Sequence, residues 1–221
     1  QIVFSMKADM RNKKFASNVH RENSFNILKT VGIYGPNNAG KTCIVKCFNA
    51  IKEIFLNKKP NLMPNLFTKS TVCELGITFL YDGREFSYDL NYDAQDEEFI
   101  YEKFLEIQKE KYGNEKEILW LEKDTVNKTY YCIDEDVHLM MSLMSSNNLF
   151  CYVIDASKFE HLEKMKGIIV GFAKKIDIIN MNNIPMKNTI DLMKNKNSVQ
   201  KRIVEFIKNA DLYMDNFEYV D

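Results

Sequence analysis

Eight consecutive residues, 35–42, constrain this chain more than any other part of it. They read G-P-N-N-A-G-K-T and match the complete pattern G-x-x-x-x-G-K-[ST]. An apolar run over residues 27–34 predicts a strand before the loop, and residues 41–56 carry apolar side chains at helical spacing. A glycine turn that merely joins a strand to a helix is the plainer interpretation. The complete motif between these two elements favours a phosphate-binding loop instead.

Each part of the motif has a physical reason. The glycines at both ends allow backbone angles and close approach that a Cβ would hinder, and successive N–H groups form a concave anion nest. The helix adds its positive dipole end. Lys41 is expected to contact the β- and γ-phosphates, which makes it the candidate catalytic residue, and the Thr42 hydroxyl to ligate Mg²⁺. The predicted ligands of ATP and Mg²⁺ are Gly35, Pro36, Asn37, Asn38, Ala39, Gly40, Lys41, Thr42 and Cys43, the last through its N–H to the α-phosphate.

Composition and charge restrict the class of protein. The 221 residues are 45% hydrophobic and 28% charged, which is ordinary for a globular domain. The net charge of -1 provides no global basic field for nucleic acid or an anionic membrane, and no apolar run approaches the ~18 residues of a membrane span. The five cysteines include no C-x-x-C pair, so we expect a reduced, cytoplasmic protein without a zinc site. Cys43 and Cys47, on one face of the predicted helix, are interpreted as core packing.

Downstream of the loop the apolar period changes from helical to two, which predicts an antiparallel β region. Asp82-Gly83 between two alternating runs is a hairpin signal. The predicted fold is α/β, with a mixed sheet around the loop (1–57), an antiparallel β layer (70–134) and a helical lobe (136–221). The predicted strands are 2–7, 27–34, 72–81, 85–92, 99–108, 117–123 and 129–133, with a further strand starting at 217–220. The predicted helices are 41–56, 137–144 and 198–208, and residues 158–179 are predicted to form one long helix or two.

Two acidic positions are candidates for a further metal ligand. The apolar run 149–154 ends at Asp155, a pattern typical of a strand whose last residue holds Mg²⁺ through water. Ala156 follows, however, where a Glu would polarise the attacking water, so capping of the strand or of the next helix is the preferred interpretation. The acidic run 134–136 is interpreted as a solvated turn.

The loop and its flanks resemble ABC-class ATPases of the SMC, RecF and overcoming-lysogenization-defect (OLD) type. Asn37 at the third loop position, followed by a small residue and G-K-[ST], is typical of that class. The chain also resembles the OLD-like, AAA-family ATP-binding proteins of bacteria. That resemblance includes the core [DN]-G-[RK]-x-[FY]-x-Y at 82–88 and the segment A-D-L-x-[IM]-x-x-[FI] at 210–217. It covers the whole chain, but only the loop is strongly specific.

The resemblance implies an ATP-gated dimerisation switch. In such ATPases two heads sandwich two nucleotides, which implies a homo-oligomer formed through the heads. Many members resemble effectors or sensors of phage defence that act with a nuclease or another effector protein. The signature Ser-Gly motif, the Walker B Asp-Glu pair and the switch His of the family are absent here. We therefore expect the N-terminal part of a longer head, which binds ATP and alone hydrolyses it negligibly.

Two alternatives stay open. One is another P-loop class, a GTPase or a small-molecule kinase. The absence of N-K-x-D after an apolar strand argues against guanine selectivity, and the antiparallel region soon after the loop helix argues against kinases. The other is a nucleotide-binding interaction module without turnover. The sequence does not show whether nucleic acid is bound.

Overall fold

The computed structural model describes residues 3–8, 13–22, 25–37, 39–64, 69–109, 115–143 and 147–179, together with Ser198, Lys201, Arg202 and Glu205. The chain divides into residues 1–176 and 177–221, and the architecture below belongs to the first unit. Three predictions lie outside the described residues: the family-like segment 210–217, the strand start at 217–220 and most of the helix over 198–208.

In chain order the elements are β1 (Val19–Glu22), β2 (Phe25–Leu28), α1 (Lys41–Phe55), β3 (Val72–Tyr81), β4 (Arg84–Asp93), β5 (Glu98–Lys109), β6 (Glu115–Asp124), β7 (Thr129–Cys132), α2 (His138–Leu143), α3 (Phe150–Val153) and α4 (Glu160–Ala173), with 3₁₀ helices at Lys13–Asn18, Glu135–Val137 and Ala156–Lys158.

The segment before the loop forms only a small antiparallel pair, β1 with β2. The main chain at Lys7 adds a single bridge to Ile27, so the strand predicted over 2–7 is reduced to that bridge within the described residues. Strand β1 itself lies in a mostly polar stretch of the sequence, where no strand is among those predicted.

The strand predicted over 27–34 is wrong beyond the end of β2. Lys29 and Thr30 are held by Asn18 instead, whose side-chain amide donates to the Thr30 carbonyl at 2.8 Å and accepts from the Thr30 N–H at 2.9 Å. Tyr34, next to the loop, is 93% exposed. A strand needs a hydrogen-bonded neighbour, and within the described residues no strand runs beside 31–34.

A five-stranded antiparallel sheet forms the centre of the unit, with β3 to β7 side by side in sequence order. Its first turn has positive φ at Asp82 (50°) and Gly83 (72°), the left-handed pair that a two-residue hairpin of type I′ requires. The predicted antiparallel region is therefore confirmed, and the molecule is mixed α/β.

Helices α1 and α4 pack on one face of this sheet. The Phe55 ring at the end of α1 stacks on Tyr88 with centroids 5.4 Å apart, and Phe172 of α4 stacks on Phe79 at 4.1 Å. The C-terminal half of α1 is thus buried, whereas Val45 in its first half is 47% exposed. Within the described residues, no helix combines the length and apolar character needed to cross a bilayer. The alternate residues that β4 buries beneath the helices are Phe86, Tyr88, Leu90 and Tyr92.

Candidate phosphate-binding site

The loop over residues 35–40 leads directly into α1. Gly40 is the N-cap of the helix and has φ 85° and ψ 7°, a left-handed conformation that a residue with a Cβ adopts with strain. Gly35 has φ 158°, and a Cβ placed there would lie 3.6 Å from the Cβ of Ala39, an ordinary contact. Positive φ therefore favours glycine at position 35 as well as at position 40, although packing within the protein leaves room for a Cβ at position 35.

Lys41, the first residue of α1, folds back over its own loop. Its ammonium nitrogen donates to the carbonyl oxygens of Gly35 at 2.7 Å and Pro36 at 2.6 Å. No ion pair involving Lys41 is found within the described part of the chain. A full positive charge is thus held at the loop by neutral acceptors, and a phosphate oxygen would form the stronger, charge-assisted bond.

The first turn of α1 is open to an anion. It contains no acidic side chain, and Gly40 has no side chain to cap its N–H groups, so among the described residues no side-chain cap and no first-turn acid compensates the positive end of the helix dipole. Thr42 is exposed, as its predicted contact with Mg²⁺ requires. The Cys43 N–H, predicted to bind the α-phosphate, donates to the Gly40 carbonyl at 3.0 Å. Phosphate binding at Cys43 therefore requires this N–H to share or exchange its acceptor.

Asn38 lies outside the described residues. The interpretation of Cys43 and Cys47 as core packing is wrong, because both side chains are exposed. The apolar face of α1 becomes buried only from Ala50 onward, where the helix reaches the sheet.

The apolar run before Asp155 is a helix, α3, so the predicted strand ending in an acidic metal ligand is wrong. Asp155 instead caps the 3₁₀ helix that follows: it accepts from the Ser157 hydroxyl at 2.6 Å and from the Ser157 N–H at 3.3 Å. The bond from the Ser157 hydroxyl is the main cause that lowers the pKa of Asp155. The preferred interpretation, capping of the next helix, is confirmed.

Asp134 is also a cap, for a helix distant in sequence. Its carboxylate accepts from the Leu162 N–H at 2.9 Å and lies 2.9 Å from the His161 ring nitrogen Nδ1, so it satisfies the first turn of α4. The prediction of a solvated turn is wrong for Asp134 and holds for Glu135 and Asp136, which are exposed.

Sequence reasoning missed a buried polar cluster between the sheet and α3. Glu102 accepts from the Tyr88 hydroxyl at 2.9 Å and from the Phe150 N–H at 3.1 Å. The Lys123 nitrogen Nζ lies 3.9 Å from Glu102 Oε1, and both side chains are fully buried. Burial raises the pKa of Glu102, against the opposing effect of Lys123 and the two hydrogen bonds. The cluster fixes the start of α3 to the sheet.

A signal for this cluster exists in the alternation of the strands. Lys123 stands two residues after the buried Leu121, and Glu102 two residues before the buried Phe104, so period two places both inward. Their cross-strand pairing makes the two charges neighbours.

Among the described residues no group of three or more His, Cys, Asp or Glu side chains is arranged to hold a metal ion. Mg²⁺ commonly keeps several waters and binds through one or two protein groups and the substrate phosphates. An exposed Thr42 beside a phosphate loop fits that mode, and Thr42 would hold the ion together with phosphate oxygens.

Comparison with protein-family models, curated proteins and solved structures finds no match for this chain. A functional assignment therefore depends on the side chains and backbone groups of the loop, and the likeness to SMC, RecF and OLD ATPases stays a resemblance of sequence.

Proposed function

We propose that this chain binds the triphosphate of ATP, with Mg²⁺, through residues 35–43. The observation that carries the proposal is the position of Lys41 within an intact G-x-x-x-x-G-K-T sequence. Its ammonium lies within 2.7 Å of two loop carbonyls, at the N-terminus of a 15-residue helix. The loop backbone, the charge of Lys41 and the positive end of the dipole of α1 are thus next to one another, an arrangement that suits a chain of phosphates.

The residues have distinct roles under this proposal. Lys41 exchanges the carbonyls of Gly35 and Pro36 for β- and γ-phosphate oxygens. Thr42, the next residue, holds Mg²⁺ through its hydroxyl, and the ion neutralises charge between the phosphates. The first-turn N–H groups, that of Cys43 included, take the remaining phosphate oxygens.

The wider proposal is that the chain belongs to a P-loop ATPase of the ABC type and acts in an ATP-gated dimerisation switch, in phage defence together with an effector protein. The antiparallel sheet that follows the loop helix supports this class over the parallel repeats of kinases. The pairing of heads and the effector are implied by the sequence resemblance.

Calorimetric titration of ATP with Mg²⁺ into the wild type and Lys41→Ala tests the proposal. Loss of the charge-assisted bonds should weaken binding by roughly 100-fold or more. Lys46→Ala, which removes an exposed lysine from the same helix, is the matched control and should bind like the wild type. Equal affinity of Lys41→Ala and the wild type would refute the phosphate site.

Competition between ATP and GTP tests the choice of base. We expect ATP to bind more tightly, because no guanine-recognition motif follows the loop. Preference for GTP would retain the phosphate site and reject the ABC class.

A further inference from the structure

The first two turns of α1 carry a pair of thiols. Cys43 and Cys47 are four positions apart, so they lie one above the other on the same face of the helix, and both are exposed. Cys132 and Cys151 are buried in the core. Burial and the neighbouring Cys43 raise the pKa of Cys47, so the two sulfur atoms interact electrostatically.

An intact helix does not bring these sulfurs to disulfide geometry. The Cβ atoms of helical residues four apart are roughly 5–6 Å from each other, whereas a disulfide requires about 3.5–4.5 Å. The bond can therefore form only if the first turns of α1 distort. Since the Cys43 N–H donates to the Gly40 carbonyl at 3.0 Å, movement of Cys43 is transmitted directly to the loop.

We propose that Cys43 and Cys47 form a reversible disulfide that distorts the first turn of α1 and thereby lowers the affinity of the loop for nucleoside triphosphate. This inference rests on the proposed function. The oxidant is a small-molecule disulfide of the glutathione type.

The reaction is two thiol–disulfide exchanges. The Cys43 thiolate attacks one sulfur of oxidised glutathione, forms a mixed disulfide and releases glutathione thiolate, which takes a proton. Cys47, after loss of its proton, attacks Cys43 Sγ and releases the second glutathione. The protein loses two protons and two electrons, and one oxidised glutathione takes them up to become two reduced molecules.

Coupling between the disulfide and the nucleotide is reciprocal. If oxidation weakens ATP binding by a given factor, bound ATP must favour the dithiol over the disulfide by the same factor. Oxidation of the two thiols would then lower the affinity of the loop for ATP, and bound ATP would make the two thiols harder to oxidise.

The full chain should be equilibrated in glutathione redox buffers, with and without ATP and Mg²⁺, alkylated and digested with trypsin. Cleavage after Lys41, Lys46 and Lys52 separates the two thiols, so the disulfide links peptides 42–46 and 47–52 at a mass two hydrogen atoms below their sum. Calorimetry of the reduced and oxidised protein then measures ATP affinity. We expect oxidation to weaken binding by roughly tenfold or more, and ATP to shift the redox equilibrium toward the dithiol by the same factor.

Two variants serve as controls. Cys47→Ser should bind ATP like the reduced wild type and should never yield the linked peptides. Cys73→Ser should keep both the linked peptides and the loss of affinity. Absence of the 42–46 to 47–52 link, or equal ATP affinity of the reduced and oxidised protein, would overturn the inference. Failure of the reduced protein to bind ATP would instead reject the proposed function.

Discussion

The hydroxyl of Tyr152 on α3 lies 2.6 Å from the main-chain carbonyl oxygen of Phe55, the last residue of α1. The bond ties the helical layer to the end of the loop helix that is farthest from the phosphate loop. Burial raises the pKa of Tyr152 to about 12, so its hydroxyl remains a donor at neutral pH. The helix is therefore anchored at its C-terminal end, and its N-terminal end projects toward the candidate site.

Replacement of Tyr152 by Phe should lower the stability of the protein without changing its affinity for ATP. Loss of this one bond should lower the free energy of unfolding by about 1 kcal/mol, measured by urea denaturation. The ATP affinity of the folded variant should stay within about twofold of the wild type, because the proposed phosphate ligands are at the opposite end of α1. A large loss of affinity without loss of stability would show that this anchor controls the loop.

Thr42→Ala should weaken Mg²⁺-dependent binding of ATP more than metal-free binding. The hydroxyl is expected to be a direct ligand of the ion, whereas the loop N–H groups and Lys41 are expected to contact phosphate without the metal. Affinities measured with Mg²⁺ and with EDTA should converge in this variant. Thr42→Ser retains the hydroxyl and is the matched control. If the Mg²⁺ enhancement survives in Thr42→Ala, another group holds the metal.

The Glu102–Lys123 pair should show strong coupling in a double-mutant cycle. Lys123 Nζ is buried without a hydrogen-bond partner and lies 3.9 Å from Glu102 Oε1. Glu102→Gln leaves that charge buried and unpaired, so we expect a loss of about 3–5 kcal/mol in the free energy of unfolding. Lys123→Met should be similarly harmful.

The double variant Glu102→Gln/Lys123→Met leaves no buried charge at this position. Its loss of stability should be smaller than the sum of the two single losses by at least about 1 kcal/mol. Urea denaturation of the four proteins at pH 7 measures the coupling. Additive losses would mean that the two charges act independently.

Elements with local signals were predictable from the sequence. Asp82-Gly83 between alternating runs predicts the hairpin, because the two positive φ angles of the turn depend on these two neighbouring residues and not on a contact distant in sequence. The run 149–154 lacks such a signal, and its apolar residues suit a strand equally well. The contact that holds it as α3, from Phe150 N–H to Glu102, joins residues 48 apart. A pairwise contact at that separation cannot be seen in a single sequence.

Some features of the candidate site were likewise predictable from the sequence, and others were not. The motif identifies Lys41 and the loop glycines, and the structure adds that Gly35 and Pro36 are the present acceptors of the ammonium. The exposure of Cys43 was not predictable, because helical spacing shows which residues share a face and not how far along α1 the sheet covers it. The role of Asp134 was hidden for another reason, since its partner Leu162 is 28 residues away.

This chain alone should bind ATP and hydrolyse it at the background rate. Phosphoryl transfer needs the charge supplied by a P-loop and also a group that orients the attacking water. Asp155 is not suited to that role, because its carboxylate is occupied by Ser157. Asp134 is occupied by the first turn of α4.

Phosphate release should therefore be equal in the wild type, Asp155→Asn and Glu135→Gln. It should also equal the release measured with Lys41→Ala, a variant that sets the background from contaminating enzymes. Glu135 is included because it is exposed and belongs to the acidic run at 134–136. A sensitive phosphate assay at saturating ATP and Mg²⁺ makes the measurement. Turnover above the Lys41→Ala background that disappears in Asp155→Asn or Glu135→Gln would identify that carboxylate as the catalytic acid or base and contradict its assignment as a cap or a solvated turn residue.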